Sequence, residues 1–442
     1  MKNWKNLPIT IATLGALFSS TGFASGSTEE GYFVFDSQHR YLNHFNNGEL
    51  SIDHMNSEGY EVYGPRGLGN YLDQIQVRFE VLEENEKDLA GFGYPEPEEV
   101  FSRLRILANE NADIVKAFSI GISSTGRELF VLKISDNVEV DEKEPEFKYI
   151  GNMHGNEIVG RDMLVLFAED LIKRYRAGEQ QVVEVINNTE LYIMPTMNPD
   201  GSSIKRRGND HWKDLNRNFP DFTTSDNTNT SEGREPETEA VMKWQASRQF
   251  SLSANFHGGS KVVNYPWDTT ADPAPLTEMI KEISLLYAST VPGFYDNTRF
   301  SQGVTNGYQW YHLDGGMQDW SYFWHNDLQV TIELSNVKWP NYSEIPQYYQ
   351  DNSEALLAYL SKIHQGAGFY LSQSQKSGRV QILKETKEEV GSFGFERGEF
   401  YKVLPEGMYT FKVDLEDGTH FEFTRAVSDQ QSFPLVPNYE KL

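Results

Sequence analysis

The chain is 442 residues long, lacks cysteine, and carries a formal charge of −26 with aromatics at 13 %. That length suits a domain of about 250–300 residues plus something smaller, and the composition excludes a disulfide scaffold, a cysteine-linked lipid anchor, a collagen-like repeat and a disordered chain. So negative a surface repels nucleic acid and anionic lipid, and suits either cationic peptides or plain solubility in a salty medium.

Residues 1–24 read as a signal peptide: "MKNWK" supplies the positive end, "LPITIATLGALFSSTGF" the apolar stretch and Ala24 a small residue for cleavage. A retained anchor helix is the alternative; no other segment is apolar enough to span a membrane. Export without disulfides points to a bacterial periplasmic or extracellular protein. Residues 25–91, rich in Asn, Glu, Gly and Tyr, have weak periodicity and form an N-terminal extension: a pro-segment, an extra subdomain or an arm wrapped on the main body.

Residues 92–366 alternate helices and strands. "YPEPEEVFSRLRILANE" predicts a helix, "ELFVLKIS" a strand and "EFKYIGN" a buried strand. The helix "EIVGRDMLVLFAEDLIKRYRAG" follows, with Met163, Phe167 and Leu171 recurring every fourth residue. Strands "ELYIMPT", "SLSANFH" and "LQVTIEL" then alternate with helices "ETEAVMKWQASRQF", "PLTEMIKEISLLYASTV" and "SEALLAYLSKIHQG". The pattern is α/β, a mixed, mostly parallel sheet flanked by helices. After Gly366, "GRVQILKE", "EFYKVLP", "MYTFKVDL" and "HFEFTRAV" alternate between "PEG" and "EDG" turns, predicting a small all-β sandwich over 367–442.

In open α/β sheets, ligands sit beyond the carboxyl ends of the strands. His154 and Glu157 lie at such an end, at an i, i+3 spacing that turns an imidazole and a carboxylate to one centre. Alone, "HGNE" is equally a polar turn. His257, at the end of "SLSANFH", offers a third ligand or merely caps its strand. Glu333, inside the β-prone run "QVTIEL", is costly to bury without a partner and suits a general base beside a metal-bound water. The polar loop "SIKRRGNDHWKDLNRNFPD" supplies Arg207, Asn216 and Arg217, which are either solvated or clamp a carboxylate and steady an oxyanion.

Six ordered motifs, "HGNE", "MPTMNPDG", "DLNRNFPD", "NFHGGS…NYPWD", "TNGYQWY…GGMQDW" and "TIELS", resemble those of zinc metallocarboxypeptidases (funnelins), in the branch of carboxypeptidases D, E, N and M. The resemblance spans about residues 92–366, and the trailing strands resemble that branch's transthyretin-like domain. It implies one Zn²⁺ per chain on His154, Glu157 and His257, with Glu333 as general base and Arg207 polarising the scissile carbonyl. It implies that Asn216 and Arg217 hold the substrate's terminal carboxylate, that Tyr311 closes over it, and that Asp214 orients a ligating histidine. Asp268, eleven positions after the third ligand, and Gln318 line the pocket for the terminal side chain, so the expected substrates are peptide or protein C-termini ending in Lys or Arg.

Two departures stand out. Trp267 replaces a smaller residue, and "LSNVKWP" replaces a cysteine-containing stretch. Residues 25–91 match nothing in this branch, whose members typically lack a pro-segment. The remaining histidines, His54 among them, read as structural or surface residues, and "TTSDNTNTSEG" as a solvated loop rather than a calcium site. The expected function is an exported, monomeric exopeptidase. The alternatives are a cell-wall carboxypeptidase acting on diaminopimelate-containing peptides and a non-catalytic peptide-binding module.

Overall fold

The computed structural model describes residues 29–45, 50–82, 93–372, 376–429 and 433–442; the expected signal peptide lies outside them. Residues 29–82 build a four-stranded sheet of β1 (Glu30–Phe35), β2 (Ser51–Asp53), β3 (Gly59–Gly64) and β4 (Arg78–Val81), with helix α1 (Leu68–Gln74). Its strands pair antiparallel. Val34, Phe45, Tyr60, Val62, Leu68 and Leu72 give it an apolar core of its own.

The central sheet has eight strands in the order β11-β10-β12-β9-β7-β8-β6-β5. They are β5 (Val115–Ile122), β6 (Glu128–Ile134), β7 (Glu146–Gly151), β8 (Glu190–Met194), β9 (Phe250–His257), β10 (Ser260–Tyr265), β11 (Val304–Asn306) and β12 (Leu328–Ser335). The inner four, β12, β9, β7 and β8, run parallel, while β5, β6 and β10 are joined antiparallel, so the sheet is mixed as its apolar strands predict. Strands β7, β8 and β9 are buried throughout, as a sheet covered on both faces requires. Edge strand β5 mixes exposed and half-buried residues without a two-residue alternation, which is why its sequence carries no strong strand signal.

Helices α2 (Pro97–Glu110), α3 (Val159–Arg176), α4 (Gln180–Ile186), α5 (Pro236–Ala246), α6 (Thr277–Thr290), α7 (Met317–His325) and α8 (Ile345–Ser361) cover the sheet. Helix α2 begins with Pro97 behind a capping box in which Glu96 and Glu99 satisfy each other's backbone N–H groups. Helix α3 buries Met163, Phe167 and Leu171 on one face. Among the described residues no helix is long and apolar enough to cross a membrane.

The C-terminal strands are β13 (Gly366–Tyr370), β14 (Gly378–Lys384), β15 (Glu389–Phe395), β16 (Glu399–Val403), β17 (Gly407–Leu415), β18 (His420–Val427) and β19 (Tyr439–Lys441). They form a three-stranded sheet, β16-β13-β19, facing a four-stranded one, β15-β14-β17-β18. Phe369, Val380, Ile382, Phe411 and Val413 fill the space between, so the all-β expectation holds. Tyr401, Val403 and Leu435 belong to the core of the central sheet.

Candidate active site

The turn after β7 explains "HGNE" locally. Asn152 takes a left-handed conformation (φ 53°), which Asn tolerates better than most residues. Its side-chain Nδ2 donates to the carbonyls of His154 (2.9 Å), Gly155 (3.2 Å) and Glu157 (3.2 Å), while Thr196 donates to its Oδ1 (2.8 Å). One amide thereby winds the loop into a hook. At Gly155 a Cβ would stand 2.2 Å from the Gly201 backbone, and at Gly160 it would stand 2.7 Å from Phe256 Cβ. Only glycine lets this loop lie against the backbone around Gly201 and the start of α3 lie against β9.

The hook, the end of β9 and the body of β12 bring the expected residues together. His154 Nδ1 lies 3.0 Å from His257 Nδ1, and Glu157 Oε2 lies 3.1 and 2.9 Å from those two nitrogens. Three donors about 2.1 Å from one tetrahedral ion stand roughly 3.4 Å apart, so this triangle fits Zn²⁺ in size and in donor type. Hydrogen bonds set the tautomers. His154 Nε2–H donates to Asp214 Oδ1 at 2.9 Å, leaving Nδ1 bare. Asn255 lies 2.8 Å from His257 Nε2; turned so that its oxygen faces the ring, the amide does the same for His257. Burial disfavours charge on Glu157, but His154 and Lys338 outweigh it and hold the carboxyl well below its usual range.

Around the triangle, Arg207 donates through Nε and Nη2 to Asp214 Oδ2 (3.1 and 3.0 Å) and through Nη1 to Glu157 Oε1 (3.3 Å). Asn216 is fixed by its N–H to Asp214 Oδ1 (2.9 Å) and by the Met317 N–H to its Oδ1 (3.0 Å). Behind it Asp268 is buried against Gly307, where a Cβ would lie 1.7 Å from Oδ1. It accepts from Asn264 at 2.9 Å, and burial pushes its carboxyl up to about 6. Asp319, which the sequence did not single out, holds the Asp268 and Thr269 N–H groups at 2.8 and 3.0 Å. Both polar ends of buried Gln318 lack partners, as does Glu333 Oε2. Trp267 packs into the core between Phe222 and Tyr322 (ring centroids 4.9 and 5.3 Å).

Sequence reasoning missed the contribution of residues 29–82. Asp53 accepts from Arg207 Nη1 (2.6 Å), Lys338 Nζ (3.0 Å) and the Tyr311 hydroxyl (3.2 Å). Ser51 donates to Asp214, Arg217 Nη2 donates to the Ile52 carbonyl (2.8 Å), and the Arg207 N–H donates to Glu29 (2.7 Å). His54, read as structural or surface, is buried in the site: it stacks on Trp310 and faces Glu333 with Nε2 3.9 Å from Oε2. Alternating "EGYFVF" and "GYEVYG" hint at strands, yet nothing local to them marks a docked tip. Lys338 comes from "LSNVKWP", the stretch that departs from the family pattern.

Residues 101–355 match the zinc carboxypeptidase family. The chain belongs to that family. It is 39 % identical over 352 residues to human carboxypeptidase D, an alignment covering 73 % of this chain and 25 % of that protein. The chain therefore matches about a quarter of the length of its carboxypeptidase D relatives. It is 34 % identical to the human carboxypeptidase N catalytic chain (68 % of this chain, 76 % of that one) and 32 % identical to mouse carboxypeptidase M (73 % and 78 %). As a zinc carboxypeptidase by family it also shares its fold with thrombin activatable fibrinolysis inhibitor (TM-score 0.59, 18 % identity, 76 % of this chain and 98 % of that one). The same holds for carboxypeptidase A from Helicoverpa armigera (0.58, 20 %, 75 % and 97 %).

Proposed function

We propose that this family member is an exported exopeptidase that hydrolyses the last peptide bond of a chain and releases Lys or Arg. The carrying observation is the convergence of His154 Nδ1, Glu157 Oε2 and His257 Nδ1 beside Glu333, with a buried carboxylate, Asp268, beyond the Asn216–Arg217 pair. Relatives named carboxypeptidase D, N and M support the reading. One Zn²⁺ held by the three donors would supply a Lewis acid and lower the pKa of a bound water.

Each side chain then has one task. Glu333 accepts the proton of the attacking water and returns it to the departing amine. Arg207 donates to the scissile carbonyl oxygen as charge develops on it. Asn216 and Arg217 bind the terminal carboxylate and Tyr311 donates to it, which restricts attack to the last bond. Asp268 pairs with the cationic side chain, and the unpartnered amide of Gln318 offers it a further hydrogen bond. The C-terminal strands act as the transthyretin-like domain of the carboxypeptidase D, E, N and M branch.

Peptides differing only in their last residue test this reading, with zinc and with a chelator. Arg and Lys should leave far faster than Phe or Glu, and chelator should abolish release. Equal rates for Arg, Phe and Glu would refute the basic specificity.

A further inference from the structure

Glu157 presents its two carboxylate oxygens to different company. Oε2 completes the donor triangle with His154 Nδ1 and His257 Nδ1, and it accepts the Gly258 N–H at 3.2 Å. Oε1 is turned to two cations instead, Arg207 Nη1 at 3.3 Å and Lys338 Nζ at 3.4 Å.

Lys338 is built into this place. It stands three residues beyond β12, and its backbone carbonyl accepts the N–H of Ile158, the residue after Glu157, at 3.1 Å. Its stem lies against Gly259, two residues past His257, where a Cβ would stand 2.8 Å from Lys338 Cε. The Gly259 N–H in turn donates to the Ser335 carbonyl at 2.7 Å, and the Ser335 hydroxyl donates to the Val337 carbonyl at 2.7 Å. One segment is therefore bonded to the hook that carries two of the donors and laced to the strand end that carries the third. The other partners of the ammonium are the Tyr63 hydroxyl (2.9 Å), Asp53 (3.0 Å) and Glu61 (3.5 Å).

The two cations on Oε1 have unequal duties. In the mechanism above Arg207 donates to the scissile carbonyl oxygen, which draws it from Glu157 when a peptide is bound. Nothing in that mechanism draws Lys338 away. A catalytic zinc site needs three protein donors and one open position, and a second oxygen from the same carboxylate competes for that position. A positive charge close behind a ligand also opposes the charge of the ion, at the expense of affinity.

We propose that Lys338 is a positioning residue of the metal site. Its ammonium holds Glu157 Oε1 back, so that Glu157 offers the metal a single oxygen and the open position is kept free while Arg207 serves the substrate. This rests on the reading of His154, Glu157 and His257 as the metal donors.

The test compares the full chain with Lys338→Met, which keeps most of the stem without the charge, and with Lys338→Arg, which keeps the charge. Each protein is freed of metal. Zn²⁺ affinity is then read by competition with a chelating dye, and Co²⁺ is loaded as a probe whose visible absorption weakens as its coordination number rises. The unsubstituted chain should give the strong absorption of four-coordinate Co²⁺. Lys338→Met should bind Zn²⁺ about tenfold more tightly and give a weaker Co²⁺ spectrum, and Lys338→Arg should restore both. A lysine that merely braced the fold would loosen the metal on removal, so zinc binding that is unchanged or weaker in Lys338→Met overturns the proposal. Should that variant fail to fold, the unsubstituted chain decides: a five- or six-coordinate Co²⁺ spectrum overturns the proposal and a four-coordinate one supports it. Glu157→Ala separates the two ways of failing. If it binds Zn²⁺ as tightly as the unsubstituted chain, the donor assignment falls and takes the proposal with it; if it loses zinc while Lys338→Met behaves as the unsubstituted chain, the role of Lys338 alone falls.

Discussion

Two β-rich appendages flank the central sheet, and they are attached by opposite kinds of bonding. The C-terminal strands dock at the amino ends of the parallel strands: Tyr401 accepts from Ser251 beside the start of β9, and Lys402 donates to Asn326 just before β12. Tyr401, Val403 and Leu435 are part of the central sheet's own core, so that junction is an apolar continuation of one body. The N-terminal unit sits at the carboxyl ends and meets the site through carboxylates, guanidinium groups and a histidine. An apolar junction cannot part without exposing core, whereas a polar one exchanges its partners for water or for a substrate. The difference teaches that one appendage extends the core of the sheet while the other is tied to the site by polar contacts.

The largest effect concerns the chemistry at the polar end of the sheet. Glu333→Gln should lower kcat by about 10³ to 10⁴, at the upper end of what a general base contributes. Retained activity would remove Glu333 from the mechanism. Next, Tyr401→Ala should cost about 3–5 kcal/mol and lower the main unfolding transition in denaturant, because it cuts into the shared core. By contrast Leu72→Ala should cost about 2–5 kcal/mol within the small unit alone. It should leave the main transition unmoved; a shift in the main transition would dissolve the contrast between the two appendages.

A smaller effect concerns Asp268. Burial raises its carboxyl to about 6, so it is ionised above that pH and neutral below it. Preference for Arg over Phe should therefore fall as pH drops through about 6, read as the ratio of kcat/KM values. Asp268→Asn should show the reduced preference at every pH. A preference independent of pH in the unsubstituted enzyme would place the selectivity elsewhere.

Legibility followed sequence distance. The central strands, the buried face of α3 and the hook of "HGNE" depend on neighbours within a few residues, and patterns of that range can be read directly. His257 and Glu333 were legible because a polar residue ending or interrupting an apolar strand is conspicuous. Asp53 was not: its partners Arg207, Tyr311 and Lys338 lie 154, 258 and 285 positions away, and in sequence it is one acid among many. Strand β2, only three residues long, carries no period at all. The role of Asn152 was equally hidden, because an amide that bonds three carbonyls looks like any loop asparagine.

That amide has a thermodynamic consequence. Gathering three donors from a loop, a helix start and a distant strand normally costs configurational freedom at the moment the ion arrives. Here Asn152, clasped by Thr196, has already frozen the turn bearing two of them, and β9 carries the third as part of the sheet. Folding itself has met the cost, so the chain presents a stiff receptor rather than a flexible one. Replacing Asn152 by Ala should slow metal capture more than metal release, since it is the search among loop conformers that the asparagine removes.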